Sequence, residues 1–209
     1  FETTVGAGLP MIKTLYELIE SNHDIKKVEG MFSGTLNYVM SSYMENNDKS
    51  LSEIVKIALE KGYTEPNPYD DLNGSDVSRK ILILSRLMGS KKHLNDIDVQ
   101  PLVNMKMEEV STVSLFFENL KNYDNLFDEM RKNAYNDNCT LKYIASYENE
   151  KYTVSLQKIS NLHPFYQING TKNIIAITTN IYSEPLQIIG FGAGVYQTAS
   201  GILNDILQV

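Results

Sequence analysis

The 209-residue chain holds one cysteine and only three histidines, and its 19 lysines and arginines are outnumbered by 26 aspartates and glutamates. Each shortage closes a class of function. Cys139 alone cannot make an intrachain disulfide, which fits a reducing, cytoplasmic compartment, and its surroundings "NDNCTLK" offer no histidine to activate a thiolate, so it reads as structural. His23, His93 and His163 stand far apart, without the spacing that zinc requires. A formal net charge of -7, with no basic stripe interleaved with aromatics, argues against nucleic acid as a partner. No apolar run reaches the ~18 residues of a membrane span, and "FETTVGAGLP" lacks the charged and apolar blocks of a signal peptide, so no membrane partner is expected. The chain opens on Phe1 rather than methionine, in a strand-like "FETTV", as a piece of a larger protein would.

What is present is a sequence that is helical early and β-rich late. "GAGLPMIKTLYELIES" turns on glycines and then spaces Leu9, Ile12, Leu15 and Ile19 as one face of a helix. "DIKKVEGMFSG" reads as a short strand and "TLNYVMSSYMEN" as the helix after it. Ser50 with Glu53 three residues on makes a capping box, and Gly62 stands where a left-handed C-cap would end that helix. A loop follows, because Pro66 and Pro68 cannot continue a helix. Another helix starts near Ser75. "DIDVQPLV" is a predicted strand, and "MEEVSTVSLFFENL" and "DNLFDEMRKNAY" are predicted helices. "CTLKYIASYE" and "KYTVSLQKIS" alternate around "NEK" as a hairpin does, two more β-rich runs follow, and "VYQTASGILNDIL" closes as a helix. The expected fold is α+β, with helices on one face of a mixed, largely antiparallel sheet.

Chemistry concentrates in "KGYTEPNPYDDLNGSDVSRK", residues 61–80. Asp76 and Lys80 are four apart in the first turns of a helix and share a face. By spacing alone they are an ordinary surface ion pair. With Glu65, Asp70 and Asp71 brought to the same helix start they become a mixed-charge site for a small zwitterion, in which carboxylates take an ammonium group and Lys80 serves a polar oxygen or donates a proton to a carbonyl. A divalent metal competes for such acids, but "DDLNGSD" lacks the ligand spacing of a calcium hand. The glycines of "GFGAG", Gly190 to Gly194, do not match the dinucleotide fingerprint, and too little chain follows them for a complete nucleotide-binding unit.

Taken in order, "ETTVGAGLP", "EGMFSGTLNYVM", "GYTEPNPYDDLNGSDVSRK", "NLHPF" and "GFGAG" with its following helix resemble homoserine dehydrogenase across essentially the whole chain. The resemblance implies reduction of L-aspartate 4-semialdehyde to L-homoserine with NADPH or NADH. Residues 1–189 would form the substrate-binding, catalytic and dimerisation domain, and 190–209 the return turn and helix of a nucleotide-binding domain otherwise upstream of Phe1. It implies catalytic roles for Lys80, Asp76 and Glu65, substrate contacts from Thr35, Tyr63, Glu65, Asp71, Asp76 and Lys80, and cofactor contacts from Gly34, Thr35, Gly192 and Gly194. Glu2, Val5, Ala7 and Leu9 match a monovalent cation site of the Na⁺ or K⁺ type. Asn67 and Tyr69 stand where relatives commonly carry aspartate and arginine.

The resemblance further implies a homodimer formed through the sheet, and it leans toward the bifunctional type with an aspartokinase domain on the same parent chain, since no regulatory domain follows the last helix. As a fragment the chain is expected to bind NAD(P) poorly. Two other readings differ in class: a non-catalytic amino-acid-sensing or assembly module, which has no use for a proton donor at Lys80, and a related dehydrogenase acting on another aldehyde or imine.

Overall fold

The computed structural model describes residues 1–207. In chain order the elements are α1 (Met11–Glu20), β1 (Ile25–Met31), α2 (Gly34–Glu45), α3 (Leu51–Glu60), a short α4 (Tyr69–Leu72), α5 (Ser75–Leu87), β2 (Asp98–Val99), α6 (Val113–Leu120), α7 (Asp124–Asn136), β3 (Cys139–Glu148), β4 (Lys151–Ser160), β5 (Lys172–Thr179), β6 (Leu186–Phe191) and α8 (Val195–Leu207). The strands form one sheet in the order β2-β4-β3-β1-β5-β6. Among the described residues only the β2–β4 pair is parallel. The α+β expectation holds, with helices over one face of a mixed, largely antiparallel sheet. Among the described residues no helix is long and apolar enough to cross a membrane.

Local signals placed most elements. Ser50 Oγ accepts from the Glu53 amide at 3.3 Å while Glu53 Oε2 accepts from the Ser50 amide at 2.8 Å, closing the capping box of α3. The β3–β4 hairpin turns on Asn149 and Glu150, whose φ values of 50° and 62° are those of a two-residue type I′ turn. Asparagine tolerates that conformation; Glu150 adopts it under the register of the long strands it joins.

Three expectations are corrected. "FETTV" is a 3₁₀ turn at Glu2–Thr4, not a strand, because Glu2 bends inward to accept the amides of Ile12 and Lys13, both at 2.8 Å, and so caps α1. "DIDVQPLV" contributes only two strand residues, since Pro101 has no amide with which to extend the ladder. "MEEVSTVSLFFENL" is a 3₁₀ turn at Met107–Val110 followed by α6, which starts afresh where Thr112 Oγ1 caps the Leu115 amide at 3.2 Å.

The main core lies between helices and sheet, where Val28, Tyr143, Ala145 and Ile175 meet Leu36 and Met40 of α2. A second cluster lies on the opposite face, where Phe165 and Ile168 of the β4–β5 connection cover Met31, Ile144 and Ile174. Strand β5 is therefore buried on both sides, which is why its sequence runs almost continuously apolar. Beyond that cover the far face turns polar: Ser146 and Thr153 pair at 2.8 Å, and Lys27 reaches Glu29 at 2.8 Å.

Lys142 is the exception within the second cluster. It is 1% exposed, and its ammonium donates to the Ile168 carbonyl at 2.6 Å and the Asn169 side-chain oxygen at 2.9 Å. Burial lowers its pKa to about 8 from an ordinary 10.5, with Glu45 pulling weakly the other way. Between those two values the unfolded chain holds one more proton than the folded chain, so this site makes stability rise with pH across that window. Chemical denaturation from pH 7 to 10 should show a steeper gain, or a shallower loss, in the wild type than in Lys142→Met. Parallel curves for the two proteins would contradict this account.

Candidate active site

Strand β1 ends in a sharp entry into α2. Ser33 Oγ caps that helix by accepting the Leu36 amide at 3.2 Å, which sets Gly34 and Thr35 in its first turn. Helix α3 ends at Gly62 with a φ of 71°, the left-handed exit its position predicted, and the chain then turns back toward α2. The Thr35 hydroxyl donates to the Tyr63 carbonyl at 2.5 Å, and the Tyr63 ring meets Tyr38 edge-on at 4.7 Å. Two segments far apart in the chain are thus tied together.

The acidic loop is held by its own members. Asp71, in α4, accepts the Glu65 amide at 2.7 Å. Its pKa is raised by burial, against the lowering effect of the Glu65 amide, and the nearby acids Glu65 and Asp70 raise it further. A group of carboxylates around a carboxylate that resists ionisation is a place where a cation is welcome. Glu65 itself is exposed, and among the described residues its carboxylate makes no hydrogen bond or ion pair.

Lys80 and Asp76 pair at 2.7 Å across one turn of α5. This is more than a surface pair. The Lys80 side chain is 19% exposed against 53% for Asp76, and its ammonium also donates to the Phe32 carbonyl at 2.8 Å. Phe32 lies two residues before Gly34, so the pair is joined to the β1–α2 junction. An ammonium has three donors, and these contacts use two.

A groove of about 350 Å³ brings Gly34, Thr35 and Tyr63 together with Gly194 and with Thr171, Phe191 and Ala193. Of the predicted substrate-side residues, Thr35 and Tyr63 share this concavity with the cofactor-side Gly34 and Gly194, whereas Glu65 and Asp71 are not among its walls. Lys80 and Asp76 are not among its walls; Lys80 is tied to the Phe32 carbonyl, two residues before the wall residue Gly34. Gly192 is not a wall either; it rests on the Asn173 side chain. Thr171 had no signal in the sequence, and Phe191 lies inside "GFGAG"; the pairing of Lys172 with Phe191 brings them together. Asn67 and Tyr69, the two departures, point away from the acidic cluster: Asn67 Nδ2 donates to the Val110 carbonyl at 3.0 Å and the Tyr69 hydroxyl to the Met105 carbonyl at 3.0 Å. A wider depression of about 490 Å³ between α3 and α6 contains none of the predicted residues.

The cation-type residues lie apart, beneath α8. Glu2 is buried, and burial raises its pKa despite two amides that favour the charged form. Gly6 and Ala7 take φ values of 79° and 51°, so the chain makes a left-handed turn beside that carboxylate, although the alanine resists it. Helix α8 closes over this turn at Gly201, where a side chain would meet Thr3 and Gly8, and the Glu2 amide donates to Asp205 at 3.0 Å. Leu9 packs its side chain against Gly190.

Comparison with known proteins agrees with this fold. Residues 10–207 match the family model described as homoserine dehydrogenase. The chain is 38% identical to homoserine dehydrogenase of Saccharomyces cerevisiae, covering all of this chain and 59% of that protein. It is 42% identical to bifunctional aspartokinase/homoserine dehydrogenase 2 of Arabidopsis thaliana, of which it covers 23%. Among solved structures, a putative homoserine dehydrogenase of Archaeoglobus fulgidus superposes with a TM-score of 0.77 at 29% identity, over all of this chain and 57% of that one. A hyperthermophilic archaeal homoserine dehydrogenase solved with NADPH has the same fold, at a TM-score of 0.72, 24% identity, and 54% of its length covered by all of this chain. The chain spans little more than half of the yeast relative and less than a quarter of the plant one. With a family match over nearly all its residues and the fold to go with it, the chain belongs to the homoserine dehydrogenase family.

Proposed function

We propose that this chain supplies the substrate-binding and catalytic portion of an enzyme that reduces L-aspartate 4-semialdehyde to L-homoserine with NADPH or NADH. The observation that carries the reading is the Lys80 ammonium, held by Asp76 and the Phe32 carbonyl with one donor to spare. Glu65 and Asp71 take the substrate's ammonium group, and Tyr63 and Thr35 border it. The spare N–H of Lys80 binds the aldehyde oxygen, orients the carbonyl and gives up a proton as the alkoxide forms.

The cofactor supplies the hydride. The residues fit one end of a dinucleotide, because Gly34 and Gly194 line the groove without side chains and leave backbone groups open to close approach. Gly34, Thr35 and Gly194 would hold it, with Gly192 shaping the turn behind the groove wall. Residues 190–209 are proposed to belong to the nucleotide-binding domain. β6 carries the sheet on to Phe191, and residues 208 and 209 lie outside the described residues. Exposed Val195, Tyr196, Ile206 and Leu207 on α8 support this, since such an apolar stripe needs cover.

Glu2, with the carbonyls of Val5, Ala7 and Leu9, is proposed to bind Na⁺ or K⁺; oxygen donors suit a hard cation, and each Glu2 oxygen keeps a free lone pair beyond its single amide. A homodimer through the far face of the sheet is part of the same reading. So is an aspartokinase domain on the parent chain, which the Arabidopsis relative supports.

The test is a steady-state assay of the full-length protein with aspartate 4-semialdehyde. Glu65→Gln should raise KM for the semialdehyde by about 10-fold or more, the scale of one lost charge-assisted contact, and change kcat less. Unchanged KM would remove Glu65 from the ammonium site.

A further inference from the structure

Two buried carboxamides between the glycine turns are not explained by packing or by the chemistry above. Asn37, three residues after Gly34, and Asn173, two after Thr171, are each 1% exposed. Asn37 Nδ2 donates to the Lys172 carbonyl at 2.7 Å, to the Asn173 side-chain oxygen at 3.3 Å and, at 3.4 Å, to the Met31 carbonyl. The two carbonyls can only accept, so they fix which end of the Asn37 amide faces them. Asn173 must then offer its oxygen to Asn37. Its NH₂ is left pointing the other way, without a partner, as is the Asn37 oxygen.

That NH₂ abuts Gly192. A Cβ built on Gly192 would overlap the Asn173 carboxamide at both its nitrogen and its carbon. Asn173 pairs with Gly190 in the sheet, so the contact is built into the register of β5 and β6 and does not depend on a mobile side chain. Phe191, Ala193 and Gly194 on either side of Gly192 are groove walls, and Gly34 and Thr35 are the walls opposite in sequence. A pair of buried amides with two orphan atoms is a poor choice for stability, where an apolar pair of the same shape would serve as well or better. The pair does tie one turn to the other.

We propose that Asn173 is a positioning residue: anchored by Asn37, its carboxamide sets the spacing between the Gly34–Thr35 turn and the Gly192–Gly194 turn, and so the fit of the dinucleotide in the groove. Position 192 must be glycine because that amide fills the space a side chain would take. The proposal rests on the dehydrogenase reading for the ligand's identity. The Asn173–Gly192 contact stands without it.

The test is a double-mutant cycle in the full-length protein with Asn173→Ala, Gly192→Ala and the pair, read by NADPH titration and by thermal unfolding. Asn173→Ala should weaken NADPH binding by about tenfold while KM for the semialdehyde stays within about twofold, a split that general loosening of the fold would not produce. Gly192→Ala should weaken NADPH binding more in the wild-type background than in the Asn173→Ala background, because truncation makes room for the new methyl group. Equal Gly192→Ala penalties in both backgrounds, or an Asn173→Ala protein whose NADPH Kd is within twofold of wild type, would overturn the proposal. Wild-type protein that bound no NADPH would instead overturn the functional reading, and the unfolding arm would still decide the contact.

Discussion

Lys80→Ala in the full-length enzyme should lower kcat for semialdehyde reduction by about 10²–10⁴-fold, the usual contribution of a positioned general acid. The structure gives the reason for a large effect. The ammonium is fixed from two sides, by Asp76 at 2.7 Å and the Phe32 carbonyl at 2.8 Å, so its remaining donor has a fixed direction. A water admitted by the truncation would occupy the space without that orientation. Lys80→Arg separates charge from proton donation: guanidinium can keep the Asp76 pair but stays protonated at any working pH, so substrate binding should survive better than turnover. Asp76→Asn should fall between wild type and Lys80→Ala, since the Phe32 carbonyl still holds the ammonium. A Lys80→Ala enzyme within tenfold of wild-type kcat would remove Lys80 as the acid. It would also favour the reading of the acidic pocket as a site that binds an amino acid without chemistry.

The largest expected loss of stability lies elsewhere. Arg131 of α7 is buried, and one of its nitrogens, Nη1, donates to the carbonyls of Tyr43, Asn46 and Lys49 at 3.1, 2.9 and 3.0 Å. Nη2 pairs with Asp128 at 2.6 Å, and the guanidinium lies 4.2 Å from the Tyr43 ring centroid. Arg131→Ala takes its donors from those carbonyls, of which Asn46 keeps the Lys49 amide, and leaves the part-exposed Asp128 with the Tyr43 hydroxyl, so it should cost about 3 kcal/mol. At about 2–4 °C per kcal/mol for a chain of this size, Tm should fall by roughly 10 °C. Arg131→Lys should recover only part of the loss, because one ammonium cannot reproduce the planar fork. A Tm change below about 2 °C, measured by calorimetry, would show that the α2–α3 connection is held by packing alone. The connection matters for the site because α3 delivers Gly62 and Tyr63 to α2.

Much of this is legible in the sequence. Ser50 with Glu53, Gly62, the helix start at Ser75, and the alternation of β3 and β4 are signals whose partners lie within a few residues, so spacing determines them. Misreadings occurred where a distant group overrode a local preference. "FETTV" has strand-forming residues, but the Glu2 carboxylate gains more by capping α1, ten residues on, than a lone strand would gain. Lys142 alternates like any strand residue, and only the β4–β5 connection folded over it makes it buried. Asn37 and Asn173 look like ordinary polar positions in a helix and a strand.

From the sequence alone came the acidic loop, the Asp76–Lys80 spacing, the α+β order of elements and, through its motifs, the family. Tertiary structure decided that Lys80 is pinned to a carbonyl 48 residues away, that Thr35 binds Tyr63 across 28, and that Asn37 reaches Lys172 across 135. The physical reason is one of range. Helical and β periodicities record which face a side chain takes, whereas the partner it meets there depends on loops closing and strands choosing a register, and those choices are made by the whole core at once.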